Sequence, residues 1–142
     1  MKIYFAGPLF SAAERAWNTE VTAALRGTGH EVFLPQEQEK GKPASGIFAV
    51  DVAGIDWADA LVAIMDGPDP DAGTAWECGY AFGKRPIVLV RTDSRSQAGI
   101  SGPYNPMLTE SASIRLDLPL APTSEVAGAI VKALATLQHE PR

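Results

Sequence analysis

The chain has 142 residues, 46% hydrophobic and 20% charged, a profile that fits one globular domain with a single core and leaves no room for a second. A formal net charge of -5 without Lys/Arg clusters speaks against a nucleic acid polymer as partner, and no apolar run is long enough for a membrane span or a signal peptide. Cys78 is the sole cysteine and the histidines His30 and His139 stand apart, which excludes an internal disulfide and a multi-cysteine metal site; the expectation is a cytoplasmic protein acting on a small molecule.

Apolar runs of strand length alternate with segments of helical period, the signature of an α/β domain with a mostly parallel sheet. Residues 2–6 read as the first strand, closed by Gly7-Pro8. A helix over 11–26 follows, with Ala13, Ala16, Trp17, Val21, Ala24 and Leu25 spaced to form one apolar face. Ser11 and Glu14 have the spacing of a capping box at its start, and Gly27 and Gly29 end it. Residues 31–34 read as the second strand, stopped by Pro35. The polar stretch 36–46 reads as a mobile surface loop that could act as a lid, and a second helix is expected over 47–57.

Residues 60–65 form a near-continuous apolar run, as expected of a central strand buried on both faces. The acidic, turn-rich segment 66–71 then leads to a helix over 73–82, and 86–90 is strand four. An irregular segment over 91–110, a short strand over 113–116 and a C-terminal helix over 123–137 complete the chain. Five strands in this pattern predict a flavodoxin-like doubly wound sheet of order 2-1-3-4-5, with ligands beyond the carboxyl ends of the strands at the switch point between strands one and three. Residues 4–10, 66–77 and the turn after strand four should therefore face the ligand.

The most informative segment is 71–81, which places the carboxylate of Glu77 near the start of a helix that opens at this edge. The positive end of the helix dipole favours an ionised carboxylate, the form a nucleophile needs. Gly73, Ala75 and Gly79 around it would let a sugar ring approach the backbone. Acidic residues in first helical turns are also common for dipole stabilisation alone, so the surroundings have to decide.

Asp71 lies six residues earlier, about 240° away on a continuous helix, so it cooperates with Glu77 only from the loop; with Thr74 three positions on, it also has the spacing of an ordinary N-cap. Asp51 could face the same pocket from helix two, whereas Asp56 and Asp59 read as structural. Trp17, Trp57 and Trp76 offer flat surfaces for a base, with Trp17 better suited to the core. Tyr4 and Phe5 are not both expected to face the core, because strand side chains alternate.

Taken together, the run from Ile3 to Phe10, the acidic stretch from Asp51 to Asp59 before Leu61-Val62-Ala63, the Asp71-x-Gly-Thr-x-x-Glu77-x-Gly79-Tyr80-Ala81 segment and Asn105-Pro106-Met107-Leu108 resemble the nucleoside 2-deoxyribosyltransferases from Met1 to about Leu137. The resemblance implies that Glu77 is the nucleophile, that Asp71 and Asp51 hold and protonate the base, and that Tyr4 stands near the nucleophile. Gly7, Phe10 and Gly73 lie in the segments that would line the substrate. Asn105 and Met107 would reach the sugar in a neighbouring subunit's site, which implies a homo-oligomer.

The reaction so implied runs like a retaining glycosidase: Glu77 attacks C1' of the 2'-deoxyribose, Asp71 assisted by Asp51 donates to the departing base, and a second base takes the sugar from the ester without metal or organic cofactor. The motif wording is closer to purine-preferring members. A 2'-deoxynucleoside 5'-monophosphate N-hydrolase would need an anion pocket, for which the turn 7–11 with Ser11 and Arg15 is the candidate, although Pro8, Leu9 and Phe10 make it apolar. A noncatalytic nucleotide-binding domain on the same fold is the remaining alternative.

Overall fold

The computed structural model describes residues 1–95 and 104–139. Five parallel strands, β1 (Lys2–Ala6), β2 (Glu31–Phe33), β3 (Ala60–Ile64), β4 (Ile87–Arg91) and β5 (Ile114–Asp117), form a sheet of order β2-β1-β3-β4-β5. The α/β class and strand order are those expected. Strand order reverses between β1 and β3, so the two chains leaving their carboxyl ends part and open a crevice there.

Each face of the sheet has its own apolar layer. Ile3, Phe5, Val62, Ile64, Val88 and Val90 pack under α1 (Ala12–Gly27) and α5 (Thr123–His139). Tyr4, Ala6, Leu61, Ala63, Met65 and Leu89 pack under α2 (Ala44–Trp57) and α3 (Ala72–Ala81), with Leu108 of the short α4 (Pro106–Thr109). Tyr4 and Phe5 do alternate, yet both are buried, because helices cover both faces of the sheet. The expectation that one of them faces outward is thereby corrected.

The capping box of α1 forms as read: Ser11 Oγ accepts from Glu14 N at 3.1 Å and Glu14 Oε1 accepts from Ser11 N at 2.8 Å. The buried face of α1, however, is Asn18, Val21, Thr22 and Leu25, while Ala13, Ala16 and Ala24 lie outside. The polar members explain themselves. Asn18 Nδ2 donates to Pro8 O and to Gln36 Oε1, both at 3.0 Å, tying the turn after β1 to the segment after β2. Thr22 Oγ1 donates to Asn18 O at 2.8 Å, so its hydroxyl is satisfied inside the helix.

The stretch 36–46 is less irregular than expected. A 3-10 turn occupies Pro35–Glu37, and α2 begins at Ala44 with Pro43 at its N-cap, leaving 38–43 between them. The Gln36 amide donates to Arg15 O at 2.9 Å, and Arg15 pairs with Glu39 at 3.6 Å, so the segment is fastened to α1. The segment 91–110 is likewise corrected: Arg91 ends β4, and 106–109 is helical because Asn105 caps it and Pro106 is preset for a first helical turn. The rest of that expectation, 96–103, lies outside the described residues.

Among the described residues no helix is long and apolar enough to cross a membrane.

Candidate active site

The site is built where β1 ends. Gly7 follows β1 directly, and a Cβ there would stand 3.1 Å from Ile64 Cβ, so a glycine lets the departing chain lie against the end of β3 without crowding it. On the α2/α3 face Tyr4 of β1 is fully buried and its hydroxyl donates to Glu77 Oε2. Its register partner across β2 is Phe33, whose ring stacks on the Tyr4 ring at 5.2 Å and 14°.

Glu77 stands in the second turn of α3 rather than the first. The start of that helix is fixed by Asp71, whose Oδ2 accepts from Thr74 N at 2.9 Å and from Thr74 Oγ1 at 3.0 Å, as the cap spacing predicts. Gly73 sits against this carboxylate, where a Cβ would approach Asp71 Oδ2 to 3.3 Å. Asp71 thus caps from the loop and leaves Oδ1 for other use.

Burial dominates the electrostatics of Glu77. Its carboxyl is pushed up to about 7, first by burial and then by the negative charges of Asp51, Asp71 and Glu39, against the opposing pull of the Tyr4 hydrogen bond. Glu77 lies past the first turn, within which the pull of a helix terminus acts, and the hydrogen bond from Tyr4 is what favours its anion. Asp51, on α2, is raised to about 6 by burial and by Glu39, with Lys42 opposing, and its Oδ1 is buried without a hydrogen-bond partner. The Tyr4 phenol is held well above its ordinary range by burial and by Glu77, so it stays a donor.

Four of the residues singled out in the sequence, Tyr4, Asp51, Asp71 and Glu77, are thus in one electrostatic cluster. Asn105 Oδ1 accepts from Met107 N at 3.1 Å on α4, which packs beside α3. Met107 and Phe10 project into solvent, 82% and 75% exposed. Asp56 accepts from the Tyr80 hydroxyl and Asp59 from Lys2 N, the structural roles expected of them. Trp17 packs against the core, whereas Trp76 is exposed, stacked on Tyr80 and edge-on to Phe48.

Three participants were missed. Glu39 adds a negative charge to Asp51, Glu77 and Tyr4, yet in sequence it is one of several charges in a polar stretch. Phe33 reads as ordinary strand content. Gly54, inside a helical pattern, is a signal that something packs close, but the sequence does not say what.

The turn proposed for an anion is already filled. Glu14 Oε1 accepts from Phe10 N at 3.0 Å as well as from Ser11 N, so a carboxylate occupies these amides, and Arg15 is turned to Glu39. A hollow of about 140 Å³ opens at this edge among Pro8, Glu14, Trp17, Asn18, Ile64, Asp66 and Gly67. It lies under α1, on the opposite face from Glu77, and its two carboxylates are already bonded, Glu14 to the amides of Phe10 and Ser11 and Asp66 to Thr92. Among the described residues no group of three or more His, Cys, Asp or Glu is arranged to hold a metal ion.

Comparison with known proteins bears on family and fold. The family model described as nucleoside 2-deoxyribosyltransferase matches residues 3–131. A conserved protein from Enterococcus faecalis V583 superposes with a TM-score of 0.74 at 28% identity, over 94% of this chain and 98% of that one. A 2-deoxyribosyltransferase from Bacillus psychrosaccharolyticus gives 0.70 at 28% identity over 89% and 90%, and one from Leishmania mexicana 0.66 at 25% over 98% of each. The Clostridium botulinum CMP N-glycosidase BcmB, at 15% identity and a TM-score of 0.68 over 94% and 99%, shares the fold. No curated protein matches the chain.

Proposed function

The chain belongs to the nucleoside 2-deoxyribosyltransferase family, and from that premise we propose that it moves 2'-deoxyribose between nucleobases through a covalent ester on Glu77. The observation that carries the proposal is a buried Glu77 carboxylate bonded by Tyr4, within charge range of Asp51, a second carboxyl raised to about 6 whose buried Oδ1 has no partner. A retaining displacement needs one carboxylate to attack and one carboxylic acid to protonate.

In the first half-reaction a Glu77 oxygen attacks C1', the C1'–N bond breaks, and its electron pair leaves with the base, which takes the proton of Asp51. In the second, a nitrogen of the incoming base attacks C1', Glu77 departs as carboxylate, and Asp51 recovers a proton. Relative to the sequence reading, the acid role shifts from Asp71 to Asp51. Asp71 has one oxygen committed to Thr74 and serves to hold the base with the other. Gly7, Phe10 and Gly73 line the approach, and no cofactor enters the reaction.

A nucleoside rather than a 5'-monophosphate is the better substrate, since Glu14 occupies the amides of Phe10 and Ser11 and would repel a phosphate there. We also read the enzyme as purine-preferring, cytoplasmic and homo-oligomeric, with Asn105 and Met107 completing a neighbour's site; the exposure of Met107 on a helix beside α3 supports the last point.

The test is incubation with deoxyinosine, with and without adenine, followed by chromatography of bases and nucleosides. Deoxyadenosine that appears only with adenine, and disappears in Glu77→Ala, is the expected result. Base released from a deoxynucleoside monophosphate without an acceptor would instead make it an N-hydrolase. No turnover of any deoxynucleoside or deoxynucleotide would make it a binding domain.

A further inference from the structure

Behind Tyr4 lies a stack that the proposed chemistry does not itself require. The Phe33 ring stacks nearly parallel on the Tyr4 ring, and the same ring lies directly against α2 at Gly54. A Cβ on Gly54 would fall 2.9 Å from both Cε2 and Cζ of Phe33 and 3.0 Å from Cδ1, closer than carbon atoms can stand. Tyr4, against which the ring stacks, is also its register partner on the neighbouring strand. Gly54 is buried in the last turn of α2, where a glycine inside a helix costs up to about 1 kcal/mol relative to alanine, so its presence asks for a packing reason. The ring supplies one.

We propose that Gly54 and Phe33 are positioning residues: the ring, seated against α2 at Gly54 and stacked on Tyr4, fixes the phenol plane and thereby holds the Tyr4 hydroxyl on Glu77 Oε2, leaving Oε1 free to attack. This rests on the reading of Glu77 as nucleophile only for its functional consequence; the clamp itself is a matter of geometry. The other charged groups near Glu77 are Asp51 on α2, Asp71 at the α3 cap and Glu39 before α2, and the hydrogen bond from Tyr4 is the one contact that favours the Glu77 anion among them. Loosening the clamp should therefore show as a change in the Glu77 titration that vanishes when the Tyr4 hydroxyl is absent.

The experiment is NMR titration of glutamate carboxyl carbons in the full chain, with Glu77 assigned by its loss in Glu77→Gln. Phe33→Leu and, separately, Gly54→Ala should raise the Glu77 pKa by about one pH unit, as expected for weakening a hydrogen bond to the charged form, and Phe33→Tyr, which keeps a stacked ring, should restore it. In the Tyr4→Phe background the same substitutions should leave Glu77 unmoved. An equal shift in both backgrounds, or none in either, overturns the proposal. If Gly54→Ala does not fold, Phe33→Leu and its Phe33→Tyr rescue decide alone. Because the titration needs no substrate, a protein that transfers no deoxyribose would refute the function while leaving this clamp measurable. Where turnover is present, Phe33→Leu should lower kcat several-fold with KM little changed.

Discussion

Glu77 and Asp51 have their proton affinities in an order that constrains the chemistry. The nucleophile must be ionised, so its contribution grows as pH rises through about 7, and the acid must be protonated, so its contribution fades as pH rises through about 6. The productive form, with the proton on Asp51 and Glu77 charged, is then a minority species that peaks between these values. Tyr4 enlarges it by donating to Glu77. The expected kcat/KM profile is a narrow bell with its maximum between about pH 6 and 7, read from initial rates of deoxynucleoside turnover. Asp51→Asn should remove the alkaline descent and lower the maximum by roughly 10²–10⁴-fold; a rate that stays flat from acid to mildly alkaline pH would show that these two carboxyls do not carry the reaction.

Among the elements, α3 has the most to do, since it carries Glu77 and takes its start from Asp71. Replacing an N-cap aspartate by alanine costs about 1 kcal/mol, while asparagine caps nearly as well. Asp71→Ala should therefore lower the unfolding free energy by roughly that amount in a denaturant titration, and Asp71→Asn should keep most of the stability while raising KM through a weaker hold on the base. If Asp71→Asn is destabilised as much as Asp71→Ala, the cap does not depend on the oxygen that accepts from Thr74. Caps of this kind were legible in the sequence because they are local: Asp71 with Thr74, and Ser11 with Glu14, lie three residues apart. The buried face of α1 was not, because alanine is apolar enough for either side and the buried Asn18 is explained only by the two turns it joins.

For the whole molecule, the outstanding question is whether one chain completes its own site. If Asn105 and Met107 serve a neighbour, mixing Glu77→Ala with Asn105→Asp subunits should restore up to about a quarter of the wild-type activity, since half of the random dimers would hold one intact site of two. Mixtures as inactive as their components would rule out shared sites. The sequence by itself determined the strand and helix order, the doubly wound sheet, the caps and the segments that meet at its carboxyl edge, since these follow from apolar periodicity and short-range hydrogen bonding. Tertiary structure decided the rest. Tyr4 meets Glu77 across 73 positions of chain, Phe33 fits only because Gly54 lacks a side chain, and Glu39 adds its charge from another segment. Proton affinity depends on burial and through-space charge, which exist only once distant segments are packed together.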